Sequence, residues 1–582
     1  MLREQPSTTM SQGVRIWGHS PFQYQSVPEF MGAQAAEPVS SVVPESSAAL
    51  ESSAALESSV LVEPVQDRSR SSVIMKEGIA QEGFPLGVTM RATFLFFLCS
   101  ACTGDDKSPT TDDSAATDDS GDTGAPLVAE ACGYVAATDL DPSDEVVEVD
   151  LTAADRAWDP GTGVPLDDGL GFNGGVPGPI FEATVGQTLR VNFTNNTDMD
   201  QTLHWHGLRV SPEMDGIMQM MDPVPPGGTF TYDLALQDTG FYWYHPHMET
   251  DTALERGLYG GIIVRTVDEP RADCELPLIL DDILLDEDTW QVAPPDTDMM
   301  QLMGRLGNVL MANGQADRRV ALTQGQSVLL RLVNAANARF FDLYLEGHTL
   351  TVVGSDGGFL AEPYTVDHLV VAPGERWLVQ LDATGEPGQT YRLMSRRFQL
   401  HDEDHSDMME SDPLGDEDQP VLSFVYADGS VTGTPWVQPT PDVPSWTGAT
   451  DVLGHSWELD EDMDAGTVYI DGESWPDVPL VTVAGNTDTT FIVHNKSEMH
   501  HPFHIHGNRF QLVAVDGAPP EHAQGWKDTW DIPPLSEYTL VSALDNPGDW
   551  MYHCHILEHA EDGMAGMMTV TDGSDSGMDM LR

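Results

Sequence analysis

Basic residues are scarce in this chain. Lysine and arginine together number 26 against 94 aspartates and glutamates, a formal net charge of −68. The lysines are Lys76, Lys107, Lys496 and Lys527 alone. A field of that sign repels phosphate backbones and excludes nucleic acid as a partner. It attracts cations, so metal ions and positively charged aromatic molecules are the electrostatically favoured substrates. Adaptation to a salty medium, where a dense acidic surface is hydrated and screened, explains the same composition and is the stronger reading. Long apolar runs are also missing: Phe94-Leu-Phe-Phe-Leu98 is far short of the ~20 residues of a membrane-spanning helix. No segment keeps the periodicity of a long amphipathic helix, which leaves an all-β class.

At 582 residues the chain is long enough for three or four domains. Residues 1–89 are rich in Ser, Glu and Gln and carry a repeat, Glu45-Ser-Ser-Ala-Ala-Leu50, begun again at Glu51 and Glu57. Such material cannot build a core and is expected to be a disordered leader. Met90-Arg91, the apolar run and Cys99-Ser-Ala-Cys102 follow the order of a secretory signal over 90–102, and we take translation to begin at Met90. Ser100-Ala101-Cys102 resembles a bacterial lipoprotein cleavage box, with Cys99 standing where an aliphatic residue is preferred. That implies the bacterial cell envelope, periplasm or outer membrane, with a lipid anchor at Cys102. An acidic Asp/Thr/Ser linker spans 103–130. Beyond it, runs such as Val146-Val147-Glu148-Val149, Thr188 to Phe193, Ser327 to Val333 and Leu369 to Val371 read as strands bounded by turn residues. They divide into domains at 131–268, 269–430 and 431–582, the last opening on the proline-rich stretch Pro435 to Pro444. A monomer is expected.

Ten of the nineteen histidines fall in four clusters: His204-Trp-His206, His245-Pro-His247, His501-Pro-Phe-His504-Ile-His506, and His553-Cys554-His555 with His559. In a strand, residues two apart share a face. Each HxH pair therefore aims two imidazoles one way, and in His553-Cys554-His555 the sulfur goes the other way. One strand can then feed two metal centres joined by a few covalent bonds. A thiolate, two imidazoles and the weak thioether of Met564 make the ligand set of a blue-copper site. Zinc rarely uses one Cys between two His that must face away from it.

In order and spacing these clusters resemble the four copper motifs of the multicopper oxidases, the laccase-type enzymes, from about Cys132 to about Asp572. The resemblance implies three Greek-key β-sandwiches of the cupredoxin type. It also implies four copper ions and a reaction in which electrons taken one at a time reduce dioxygen to water. Carried over by motif position, type 1 copper takes His501, Cys554, His559 and Met564. Type 2 takes His204 and His504; the type 3 pair takes His206, His245, His247, His506, His553 and His555. Met564, rather than Leu or Phe, is similar to bacterial members and implies a low-to-middle type 1 potential. The domain at 269–430 looks like a copper-free spacer, and its His348 and His368 are structural. With Cys99 and Cys102 in the signal and Cys554 on copper, Cys132 and Cys274 remain, and export favours a disulfide between them.

Proton delivery is assigned to Asp215, eleven residues after His204, and to Glu561. The family's second carboxylate directly follows the last type 1 histidine, where this chain has Ala560, and Glu561 comes one later. Phenols and aromatic amines are the favoured donors, with Cu(I) close behind. Met499 and Glu498 stand where the similar cuprous oxidases bind substrate, although Ser497 replaces an aspartate. The soft, acidic loop containing His405, Met408 and Met409 precedes the third domain, where those enzymes carry a Met-rich insert. A non-catalytic copper-binding envelope protein is the alternative of another class. It needs no trinuclear site, and every ligand of one is present.

Overall fold

The computed structural model describes residues 129–572, apart from 295–297, 401–411, 442, 444–445, 464 and 523–524. The leader, the signal-like segment, most of the linker and the loop with His405, Met408 and Met409 lie outside the described residues. The rest is all-β, in six sheets that pair into three sandwiches.

One connectivity occurs three times. In each sandwich an early strand pairs in parallel with a later one: Val146–Asp155 with Thr188–Asn196, Cys274–Ile283 with Ser327–Asn334, and Leu453–Asp462 with Thr489–Asn495. In each second sheet an antiparallel pair follows the same order: Leu203–His206 with Gly240–Pro246, Phe341–Leu345 with Thr390–Arg396, and His501–Ile505 with Gly548–Cys554. The alternation read from the sequence is the reason these are strands. Along Val146–Asp155 the side chains of Val147, Val149, Leu151 and Ala153 are buried in turn. They meet Phe181, Trp205, Tyr242 and Ile262 of the opposing sheet in one core. Burying each of the larger groups contributes about 1.5–3 kcal/mol.

The helices among the described residues are short, and two sit next to histidine motifs: Thr250–Glu255 follows His247, and Leu557–Glu561 follows His555. A third, Asp298–Met303, comes from the middle stretch of the chain and packs Leu302 and Met303 into the core of the last sandwich. One strand departs from the expected division. Glu130–Ala131, placed by the sequence at the edge of the first domain, adds in parallel to Arg318–Gln324 of the middle sandwich. A disulfide holds it there, Cys132 to Cys274, with the Cα atoms 5.7 Å apart across 142 residues of sequence. The spare hydrogen-bonding edge of the middle sheet captures the incoming chain because the bridge keeps that chain close.

Closing a loop of that length restrains the unfolded chain, a stabilisation of about 5 kcal/mol by loop entropy. Cys132→Ser should therefore lower the stability of the copper-free protein by about 2–5 kcal/mol in denaturant unfolding, while the copper-loaded protein keeps its blue absorption.

Candidate copper centres

Strand register assembles the histidines. In the first sandwich His204 lies directly opposite His245, and in the last His504 lies opposite His553. The second histidine of each pair sits at or just beyond its strand's end, which turns it toward the other sandwich. At the equivalent place in the middle sandwich, Leu343 opposes Ser395. That repeat has the scaffold without the ligands.

The two histidine ladders face each other. The ring of His204 lies 3.9 Å from that of His506, His206 3.8 Å from His504, His206 5.0 Å from His555, and His247 5.5 Å from His553. All eight imidazoles of the predicted type 2 and type 3 sets are brought together, each sandwich supplying four. The predicted type 1 residues form a separate group behind Cys554: its Sγ is 3.5 Å from His501 Nδ1 and 3.7 Å from His559 Nδ1. Met564 is fully buried there, and its N–H donates to the His559 carbonyl. Cys554 therefore points into one group while His553 and His555 point into the other, as the alternation requires.

In three of these rings a backbone carbonyl occupies one nitrogen and the other is open. His204 Nδ1 meets the Asp215 carbonyl at 2.9 Å, His245 Nδ1 the Pro246 carbonyl, and His504 Nδ1 the Asp528 carbonyl. The opposite nitrogens of these rings are buried without a hydrogen-bond partner, as are His206 Nδ1 and both nitrogens of His555. Orphaned buried acceptors of this kind are costly unless something binds them. Borderline and soft donors in these sets suit copper rather than a hard cation. Burial, reinforced by neighbouring imidazoles, holds His206, His245, His506, His553 and His555 well below the usual histidine range, and His247 at about 3. Burial has the opposite sense for the Cys554 thiol, which is pushed far up.

Asp215 lies inside the eight-histidine group. Its Oδ2 is 2.8 Å from His506 Nδ1, so it links the first sandwich to the last. Glu561 lies beside the group: it accepts the Thr250 N–H, three residues past His247. Burial and then the nearby charge of Asp251 raise its carboxyl. His348 and His368 bond within the middle sandwich, to Tyr426 and Asp342.

Met499, expected to meet substrate, is 0% exposed and packs in the apolar core of the last sandwich. Glu498 is half-buried beside it, with its N–H donating to Glu461. Alternation explains the burial: Met499 and His501 are two apart, and His501 faces inward.

Sequence reasoning missed four contributors. Ser497 Oγ lies 2.8 Å from His501 Nε2, and Glu461 Oε2 lies 3.7 Å from the same nitrogen. Burial raises the Glu461 carboxyl to about 7. Asp528 sits 3.2 Å from His206 Nε2, and Arg376 of the middle sandwich binds it. The one available signal was Lys527-Asp528, a charged pair set between Trp526 and Trp530 in a chain with four lysines.

Fold and site together define a copper protein whose two metal groups are joined through one cysteine. Three family models described as multicopper oxidase match residues 157–269, 277–410 and 447–574, together well over half of the chain. A multicopper oxidase of Mycobacterium tuberculosis is 28% identical over 491 residues, covering 76% of this chain and 91% of that protein. One from Staphylococcus aureus is 27% identical, covering 69% and 84%. Among solved structures, a laccase from Pediococcus acidilactici aligns with a TM-score of 0.66 at 26% identity, over 77% of this chain and 95% of that one. A laccase-like multi-copper oxidase from Ochrobactrum sp. aligns at 0.65 and 27%, over 76% and 100%. The chain belongs to the multicopper oxidase family and is an oxidase that uses oxygen as acceptor.

The inward nitrogens of the low-lying histidines carry no proton at neutral pH, whereas the Cys554 thiol does. Loading the copper-free protein with Cu(I) at about pH 7 should therefore release about one proton per chain, lost with Cys554→Ser. Calorimetry in buffers of differing ionisation enthalpy measures the number. Release of several protons would mean that the imidazoles are charged before metal arrives.

Proposed function

We propose that this chain is a laccase-type oxidase that takes single electrons from phenols and aromatic amines at a type 1 copper. That copper is held by His501, Cys554, His559 and Met564. His204 and His504 hold type 2 copper, and His206, His245, His247, His506, His553 and His555 hold the type 3 pair. When bound, the four coppers supply one-electron uptake at the first site and reduction of dioxygen to water at the other three. The observation that carries this reading is Cys554, whose sulfur faces His501 and His559 while both its chain neighbours belong to the eight-histidine group. The protein's own part is to fix that path in covalent bonds, to keep water from the type 1 ligands, and to hand protons inward.

His501, Cys554, His559 and Met564 are each 0% exposed, and His559 Nε2 meets the Leu302 carbonyl at 2.8 Å. A donor therefore gives its electron across packed side chains rather than by binding the metal. The Ochrobactrum relative, described as acting on lignin model compounds and lignosulfonate, supports aromatic donors. Cuprous oxidation is the second reading. The net charge of −68 favours it by drawing cations to the surface, and the acidic, Met-containing loop at 401–410 gives them soft ligands. The proposed site of action is the bacterial cell envelope.

Asp215 is the proton donor of this reading, since its buried carboxylate meets His506 Nδ1 at 2.8 Å and His204 Nδ1 at 3.4 Å, one histidine from each ladder. Asp215→Asn should lower turnover by roughly 100-fold or more, the scale of general acid catalysis, with the blue band unchanged. Equal turnover in the variant would remove Asp215 from the mechanism. Oxygen uptake by the copper-loaded protein should be faster with 2,6-dimethoxyphenol than with Cu(I). Uptake dominated by Cu(I) would instead make it a copper-detoxifying oxidase, and a blue protein with no uptake would be a copper buffer.

A further inference from the structure

We infer that the middle sandwich is a working wall of the eight-histidine site and that Arg376 is its positioning residue, acting through Asp528 on His206. The inference deepens the trinuclear assignment proposed above and rests on it. None of the four metal motifs includes Arg376 or Asp528, and the middle sandwich has no ligand of its own.

Arg376 opens the strand Arg376–Asp382 and is 0% exposed. Its guanidinium reaches all three sandwiches. Nη1 and Nη2 donate to the two oxygens of Asp528 at 2.6 and 2.5 Å, Nε donates to the Phe241 carbonyl at 3.1 Å, and Nη1 also donates to its own domain's Gly374 carbonyl. A planar fork with fixed donors is the group that can clamp a carboxylate this way. The fit is close. A Cβ on Gly207, the residue after His206, would collide with the guanidinium and with Asp528, and a Cβ on Gly374 would lie 2.8 Å from the His555 ring.

Asp528 transmits the clamp. Its Oδ1 is 3.2 Å from His206 Nε2 and accepts from Thr529 Oγ1, which itself sits 3.0 Å from both His206 Nε2 and His504 Nδ1. The two-point ion pair with Arg376 keeps Asp528 a carboxylate. A carboxylate can only accept, so it draws the imidazole proton to Nε2 and leaves Nδ1 bare. His206 Nδ1 is the nitrogen that is buried without a partner. The clamp is itself anchored. Asp356 accepts the N–H groups of Asp528, Thr529 and Arg376, and Lys527 Nζ bridges Asp356 and Glu375. Every charged group in this layer thus faces one of opposite sign.

The test uses the full chain carrying Arg376→Lys, which keeps the charge and removes the fork, with Arg376→Gln beside it. Chelator titration followed by copper counting, the blue absorption and the near-ultraviolet band of the coupled copper pair are read together. We expect trinuclear copper affinity to fall roughly 10- to 100-fold, the scale of lost outer-shell support. The blue band per chain and the melting temperature of copper-free Arg376→Lys should stay near those of the parent. Copper retention equal to the parent's in both variants would overturn the inference. So would parallel loss of type 1 and trinuclear copper with a lowered melting temperature, or failure of both variants to fold, because the clamp would then be structural. A parent chain that itself holds no trinuclear copper would instead defeat the assignment made above.

Discussion

The opposition of two strand ladders governs this molecule. His204 faces His245 across one pair of strands, and His504 faces His553 across another. Each ladder alone would expose a row of imidazoles at a sheet's end. Only when the first and last sandwiches dock do the rows close on each other and become buried. Two carboxylates seal that junction from opposite sides: Asp215 of the first sandwich reaches His506 of the last, and Asp528 of the last reaches His206 of the first. Docking that buries neutral imidazoles with open nitrogens is costly without a metal. The protein therefore assembles a site whose full stability is reached on loading.

Much of this was legible in the sequence because it rests on local periodicity. HxH spacing fixes which rings share a face, and Cys554 between two histidines fixes that two centres lie back to back. Alternating runs such as Val147, Val149 and Leu151 identified strands, and the missing helical period identified the class. What the sequence hid is contact between distant residues of ordinary type. Nothing local distinguishes Arg376 from other arginines, since its meaning lies in Asp528, more than a hundred residues away. Glu461 likewise reaches His501 only because a separate strand, Leu453–Asp462, brings it there. Met499 was named because similar cuprous oxidases have a substrate methionine there, and a resemblance in position does not tell a buried side chain from an exposed one. The strand Glu130–Ala131 pairs with a sheet assigned to another domain, which a two-residue segment cannot announce.

The threefold repeat explains why a domain without ligands persists in the site. The middle sandwich has the same antiparallel strand pair as its neighbours, with Leu343 and Ser395 where they place histidines. Its edge remains in the same spatial relation to the junction, and there it carries Gly374 against His555 and Arg376 against Asp528. The helix Asp298–Met303, from the middle stretch of the chain, likewise covers the other centre, through the Leu302 carbonyl on His559. The middle repeat thus touches both metal groups from outside, and its contribution is orientation and exclusion of water rather than ligation.

The scarcity of cations acquires a spatial meaning from this arrangement. Arg265, Arg305, Arg331, Arg339, Arg376 and Lys527 are all buried, each beside carboxylates. Salt screens exposed charges over about 8–10 Å but reaches buried pairs weakly. Repulsion among surface carboxylates therefore falls as salt rises, while the Arg376–Asp528 clamp at the junction is left intact. An acidic surface adapted to salt and a metal site held by buried ion pairs are compatible because they lie in different dielectric surroundings. The same separation lets the outer charge draw cationic donors toward the protein without disturbing the neutral imidazoles inside.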